Sequence, residues 1–148
     1  MLVFVSFLCD LTIRSATEQD IEPVLCLWGA AGAPPSVTDT HEGLQSLLAN
    51  DSQALILAEH DGTVVGSLIA AWDGWRGSFY RLAVHPDRRR QGIATALLRE
   101  GERRLRARGA IRLTAIAAED HPVAIGFWQA AGYAKQRDRV RFVRFVAD

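Results

Sequence analysis

Between Ile93 and Gly109 the apolar residues recur at helical spacing: Ile93, Leu97, Leu98 and Leu105 share one stripe, with Arg99, Glu102, Arg103 and Arg106 mostly off it. Gly109 is placed to stop such a helix. Before it stands SFYRLAV and after it AIRLTAIA, both rich in strand formers. A strand, helix, strand run makes the second strand lie parallel to a preceding one, because the helix must carry the chain back across the sheet. Upstream, QALILAEHDGTVVGSLIAAW holds two β-rich runs joined by Asp61-Gly62, a strong signal for a tight hairpin and an antiparallel pair. Together they require a mixed sheet.

The remaining segments fit around that sheet. LTIRSATEQDIEPVLCLW predicts a short strand and then a helix opened by Thr17 as N-cap, with Asp20 three residues on and Ile21, Val24, Leu25 and Trp28 at helical spacing. AAGAPPS breaks it, and DTHEGLQSLLAN predicts a second short helix. PVAIGFWQAAG predicts a last helix with Pro122 near its first turn, and RVRFVRFV an alternating terminal strand. The fold class is α/β (α+β), a mixed, mostly antiparallel sheet flanked by helices on both faces. At 148 residues and 49% hydrophobic content, the chain predicts one domain over residues 11–148. Residues 1–10, apolar and without a positive charge, predict an N-terminal extension or extra strand rather than a membrane span or signal peptide.

Charge narrows the partners. Lys+Arg and Asp+Glu both number 17, so the molecule as a whole has no field to drive non-specific nucleic-acid binding. Yet from Arg81 to Arg108 nine arginines stand against Asp87, Glu100 and Glu102, a local surplus of six. That suits a compact anion. Cys9 and Cys26 are too few for a disulfide framework, and no His or Cys pair has ligand spacing, so no metal is expected and a reduced cytoplasmic setting fits.

The surplus is densest in HPDRRRQGIATALL. If Val84 ends a strand and Ile93 starts a helix, the intervening turn converges its backbone N–H groups on a helix N-terminus, where unpaired donors and the dipole favour a phosphate. Gly92 removes the side chain that would hold an anion away, and Ala94 keeps the next contact small. Arg89 and Arg90 supply charge and Thr95 a hydroxyl. Arginines alone would equally make a solvated helix face, but the whole constellation of strand, His-Pro, arginines, Gly-x-Ala and helix favours a phosphate cradle.

At these residues the chain resembles the GNAT superfamily of N-acetyltransferases, whose signature is Gln or Arg, two residues, Gly, one residue, then Gly or Ala. Here it reads Arg89-Arg90-Gln91-Gly92-Ile93-Ala94, preceded by LAVHP, followed by TALL, and joined downstream by AIGFWQAAGY, which resembles the family's A-x-x-F-Y-x-x-x-G-F segment. The resemblance covers roughly residues 11 to 146, and WDGWRGSFYRLAVHP looks particularly like small bacterial members.

The resemblance implies acetyl-CoA as cosubstrate, its pyrophosphate held by the amides of Arg90, Gln91, Gly92, Ile93, Ala94 and Thr95. Its pantetheine arm would pair with the main chain of Leu82, Ala83 and Val84 like an added strand. The family often places an Asn after the next strand; here that position is His121. Where members commonly carry the Tyr of an F-Y pair to protonate the departing thiolate, this chain has Phe127-Trp128, and an indole only donates a hydrogen bond. Tyr80, on the same side of its strand as Ser78, and Tyr133, at the family's G-F position, are the remaining tyrosines, each with a packing role as the competing reading. Base candidates are Glu119, Asp120 and His121, at the end of the parallel strand, where open sheets place ligands; His121 would equally cap the next helix. Trp72, Asp73, Trp75 and Arg76 form a rim suited to the acceptor, Asp73 to an ammonium and Arg76 to a carboxylate, or a packed loop.

The expected function is acetyl transfer from acetyl-CoA to a primary amine, on a small molecule or a peptide, by direct attack in a ternary complex. A non-catalytic acetyl-CoA-binding sensor or partner subunit is the alternative, favoured by Trp128. A nucleic-acid module is the third; overall neutrality and no aromatic residue between 88 and 108 oppose it. The terminal strand would allow a homodimer by edge pairing, although an internal strand is the simpler reading.

Overall fold

The computed structural model describes residues 10–146, so the extension expected over residues 1–10 falls almost wholly outside the described residues. The chain divides into two compact units, one ending at Ile116 and the other starting at Ala117.

In the first unit five strands lie side by side in chain order: β1 (Leu11–Ser15), β2 (Leu55–His60), β3 (Thr63–Trp72), β4 (Gly77–Val84) and β5 (Leu113–Ala115). The first four are antiparallel and β5 runs parallel to β4, the mixed sheet that the hairpin and the crossover together require. Asp61 and Gly62 take φ of 50° and 78°, both left-handed, which gives the tight turn its strands' right-handed twist. β5 covers three residues of the eight expected.

Helices cover both faces. On one, α1 (Ile21–Ala30) and α2 (His41–Asn50) bring Ile21, Val24, Leu27, Trp28 and Leu44 onto Leu55, Leu57, Ile69 and Ala83. On the other, α3 (Ile93–Ala107) buries the expected stripe of Ile93, Leu97, Leu98 and Leu105. Each such leucine contributes about 2 kcal/mol by leaving water. Gly101 sets how close α3 comes: a Cβ there would lie 2.8 Å from Phe79 Cε1 and 2.9 Å from Leu68 Cδ2.

Thr17 and Asp20 pair as expected, but they open a single 3₁₀ turn, Glu18–Asp20, and α1 begins one residue later. The Asp20 carboxylate accepts the Thr17 N–H at 2.8 Å and Arg14 Nη1 and Nη2 at 2.8 and 2.9 Å, fixing the helix start to β1. Hydrogen bonding to Arg14, against a smaller opposing effect of burial, holds the Asp20 carboxyl down at about 2. At the other end of α3 Gly109, at φ 107°, lets Ala110 N–H reach the Leu105 carbonyl at 3.0 Å. The arginines of α3 are less solvated than their sequence suggests. Arg104 donates to Ser15 Oγ and to the Gln53 carbonyl at 2.8 and 2.9 Å, and Arg108 pairs with Asp51 at 2.7 Å, so this end of the helix is pinned to β1 and to the segment before β2.

The second unit holds α4 (Pro122–Ala130). Trp128 stands edge-on to Phe127 and to Tyr133, with ring centroids 5.4 and 5.0 Å apart. The terminal strand expected at RVRFVRFV is not there: residues 134–146 contain no strand, and Val140, Phe142, Val143, Phe145 and Val146 are exposed. The alternation of Arg and apolar residues breaks at Phe142-Val143, and strand conformation without a paired neighbour has no hydrogen bonds to hold it.

Candidate functional site

β4 leads straight into the turn on which the sequence argument rests. After Val84 the chain makes a 3₁₀ turn, Pro86–Arg88, in which His85 Nδ1 accepts the Asp87 N–H, and then reaches α3 through Arg89 to Gly92. Arg90 takes φ 64° and Gly92, the N-cap of α3, φ 79° and ψ 8°. Left-handed residues alternating with ordinary ones turn successive N–H groups to one side and form an anion-binding concavity. No side chain caps α3. Among the described residues, the amides of Gly92, Ile93, Ala94 and Thr95 donate to no protein acceptor, and the first intrahelical bond runs from Ala96 to the Gly92 carbonyl at 3.0 Å. A Cβ built on Gly92 meets no atom within 4 Å, so the protein leaves room beside Gly92 itself. An anion at this turn would meet donors that the protein leaves unpaired.

The arginines divide their work. Arg90 is exposed and forms no ion pair among the described residues, so its charge stays at the turn. Arg89 folds back, donating from Nε to the Val84 carbonyl at 3.4 Å and from Nη2 to the Ala31 carbonyl at 3.2 Å. It therefore joins the end of β4 to the end of α1.

β4 pairs with β5 only at Gly77, Ser78 and Phe79. From Tyr80 to Val84 no strand lies against that edge among the described residues, so the main chain of Leu82, Ala83 and Val84 has no strand partner on that side, and of its groups there Arg89 takes the Val84 carbonyl. The same stretch carries a bulge: β3 advances two residues from Ser67 to Ile69 while β4 advances three, from Tyr80 to Ala83. Arg81 absorbs the extra residue at φ 53°. As a result Tyr80 and Ala83, three apart, face the same helices, α1 and α2.

A chain of side-chain contacts holds the bulge. The Trp28 indole N–H donates to Ser67 Oγ at 2.8 Å, and the fully buried Ser67 hydroxyl donates onward to the Arg81 carbonyl at 2.9 Å. The trans peptide then turns the Leu82 N–H the opposite way, away from Ser67. The Arg81 guanidinium lies 5.2 Å from the Trp28 ring centroid, donates to the Pro34 carbonyl at 3.2 Å, and forms a close ion pair with Asp39. None of these four residues was singled out from sequence for this role. Trp28 reads as core, Ser67 and Arg81 as strand residues and Asp39 as the first residue of the second helix, which begins instead at His41; only the left-handed backbone at Arg81 links them, and it has no sequence signal.

Tyr80 is 46% exposed, so the reading of a buried tyrosine with a satisfied hydroxyl does not apply. Asp73 serves the β3–β4 turn: its Oδ1 accepts the Arg76 and Trp75 N–H groups at 2.6 and 2.8 Å, and these bonds lower its pKa. The Arg76 guanidinium stacks 3.9 Å over the exposed Trp75 ring. Glu119 and His121 are exposed in the second unit, where His121 Nδ1 accepts the Ala124 N–H at 3.1 Å as the N-cap of α4. Asp10, His60 and Asp61, at the β2–β3 hairpin, lie close enough to share a cation. Among the described residues no helix is long and apolar enough to cross a membrane.

The model of the acetyltransferase (GNAT) family matches residues 24–133. An acetyltransferase of Yersinia pestis is 35% identical over 136 residues, 92% of this chain and 96% of that one, and one of Yersinia enterocolitica 34% identical over the same span. Among solved structures, Ard1 from Thermoplasma volcanium superposes with a TM-score of 0.77 at 21% identity, covering 84% of this chain and 83% of that one. The PaiA N-acetyltransferase of Thermoplasma acidophilum, solved in complex with coenzyme A, gives 0.74 at 16% identity, covering 87% and 92%. These structures share the fold, and the chain belongs to the acetyltransferase (GNAT) family and is an N-acetyltransferase.

Proposed function

We propose that this protein transfers the acetyl group of acetyl-CoA to a primary amine, by direct attack of the neutral amine on the thioester in a ternary complex. The observation that carries this reading is the turn at Gly92, where four amides have no protein acceptor among the described residues, room is left beside Gly92, and Arg90 is exposed. A pyrophosphate there would accept from Gly92, Ile93, Ala94 and Thr95, and the open edge of Leu82 to Val84 would pair with the pantetheine arm. That the related fold of PaiA was solved with coenzyme A supports the choice of ligand. Bound in this way, acetyl-CoA supplies an activated acyl carbon. The protein's part is then to hold both partners in line, to take a proton and to give one.

An alkylamine at neutral pH is protonated by about three pK units, so freeing its lone pair costs roughly 4 kcal/mol. Glu119 and His121 are the candidate bases. His121 keeps Nε2 for that purpose while Nδ1 caps α4. Tyr80 is the candidate to hydrogen-bond the departing sulfur: its side chain is half-exposed at the start of the unpaired edge, and its hydroxyl has no protein partner among the described residues. Asp73, Trp75 and Arg76 remain the proposed acceptor rim, with Asp73 Oδ1 already engaged in its turn. The acceptor is a small molecule or a peptide.

One departure bears on the proton that the leaving sulfur needs: Trp128 stands edge-on to Phe127 and Tyr133 at the position where the family commonly carries a reactive tyrosine. One experiment tests the proposal. Acetyl-CoA is incubated with a panel of amines and products are read by mass, beside calorimetric titration of the cofactor. An acetylated primary amine supports it; tight binding with no product on any amine overturns it.

A further inference from the structure

We propose that Arg81 is a positioning residue, and that with Asp39 it straps the α1–α2 loop across the face of β4 beside the unpaired edge, setting the opening through which an amine reaches the thioester. This rests on the acetyl-transfer reading of the site. Three observations converge on the residue. Its backbone is the left-handed step of the bulge, at φ 53°, a conformation that an L residue other than glycine keeps only where its surroundings hold it. Its carbonyl is fixed from behind by Ser67, and Ser67 in turn by Trp28. Its guanidinium reaches forward to both ends of one loop, to the Pro34 carbonyl and the Asp39 carboxylate, with both charged side chains mostly buried.

The strap has chemical consequences. The loop from Ala31 to Thr40 contains Gly32, Pro34 and Pro35, and no lysine or arginine occurs between Ser15 and Trp75, so this loop has no cation of its own with which to hold Asp39. Arg81 supplies that cation from the strand. Asp39 thereby stays paired, and the loop lies on the side of β4 that carries Tyr80, which is the side toward α1 and α2. The position of the loop is thus tied to the bulge itself, so a change in one is felt as a change in the other. The expected signature is a defect in handling the amine with acetyl-CoA binding preserved, since none of the hydrogen bonds of Trp28, Ser67, Arg81 and Asp39 reaches the amides of the Gly92 turn.

The test uses Arg81→Gly, which keeps the left-handed backbone and removes the guanidinium, with Asp39→Asn and the double variant. Hydrogen exchange is measured over residues 31–40 in the free protein, acetyl-CoA affinity by calorimetry, and KM and kcat for the most active acceptor found among a lysine-bearing peptide, a peptide with a free amino terminus, spermidine and an aminoglycoside. Each single variant should speed exchange in the loop about tenfold and raise the amine KM about tenfold with acetyl-CoA affinity within about twofold, and the double should add nothing further. Unchanged exchange in the loop, additive effects, or an equal loss of acetyl-CoA affinity would overturn the proposal. If the wild-type protein acetylates no amine, the acetyl-transfer reading fails, and the exchange measurement still decides whether the strap exists.

Discussion

Two places on the segment from β4 to α3 hold a non-glycine residue in the left-handed region, Arg81 and Arg90, and their surroundings are opposite. Around Arg81 the polar groups are matched: the indole of Trp28, the hydroxyl of Ser67 and the carboxylate of Asp39 each have a partner. Around Arg90 the donors are unmatched: the amides from Gly92 to Thr95 bond to no protein acceptor, and the space in front of Gly92 is empty of protein. A closed network fixes a shape, and an open one awaits a ligand. The difference separates positioning from binding within about ten residues of chain.

The largest effect is expected where the open network is filled. Gly92→Asp puts a carboxylate beside the free amides, and should weaken acetyl-CoA binding at least about 100-fold by competing for those donors and repelling the anion. Gly92→Ala carries the same left-handed backbone cost without the charge and should lose far less. Calorimetry with circular dichroism checks both. Undiminished binding in Gly92→Asp, with the fold retained, would remove the turn from the site and erase the contrast with Arg81.

The closed network breaks differently. Ser67→Ala leaves the Trp28 N–H and the Arg81 carbonyl without their partner in a region closed to water, a loss of about 2 kcal/mol. Chemical denaturation should show a lower midpoint with an unchanged slope, while acetyl-CoA affinity stays close to wild type. A loss of affinity as large as the loss of stability would mean that bulge and turn are one unit.

How much of this contrast could be seen in the sequence follows from the same distinction. The turn was legible because it is built from backbone, and backbone geometry is announced by Gly92, by the strand formers before Val84 and by the apolar stripe after Ile93. The hairpin was legible for the same reason, through Asp61-Gly62. The bulge was hidden, since Arg81 stands in an unbroken strand pattern and its partners lie 14, 42 and 53 positions away at Ser67, Asp39 and Trp28. Likewise Arg104 and Arg108 read as a solvated helix face, because their partners Gln53 and Asp51 are distant in sequence. The terminal segment shows the converse limit: alternation at RVRF predicts a strand, but a strand exists only with a neighbour to pair with.

A third network, between β1 and the start of α1, sharpens the rule that matched charges serve shape. The Asp20 carboxyl is held at about 2, below its ordinary 3.8, chiefly by hydrogen bonding to Arg14. A lowered carboxylate stabilises the fold above its unfolded pKa and loses that contribution as pH falls through the folded value. About 1 kcal/mol, screened by solvent at the partly open Arg14, should therefore be present above pH 4 and gone near pH 2. Denaturation midpoints of wild type and Asp20→Asn between pH 2 and 6 check this: the gap should be constant above pH 4 and close toward pH 2. A gap independent of pH would assign the loss to packing.

The smallest effect belongs to Arg89, which stands between the two regions. Its guanidinium joins the Val84 carbonyl, at the end of the open edge, to the Ala31 carbonyl, at the start of the loop that Arg81 holds. Both bonds are exposed and long, so Arg89→Ala should lower stability by less than about 0.5 kcal/mol. Its effect on binding decides what the residue is for. If its charge serves the turn, acetyl-CoA affinity falls about threefold to tenfold and the loss shrinks in high salt, while Arg89→Lys recovers most of it. If the fork-shaped contact between two carbonyls is what counts, Arg89→Lys behaves like Arg89→Ala, salt makes no difference, and the loop from Ala31 exchanges faster in both. The first outcome places Arg89 with Gly92 in the open network, and the second places it with Arg81 in the closed one.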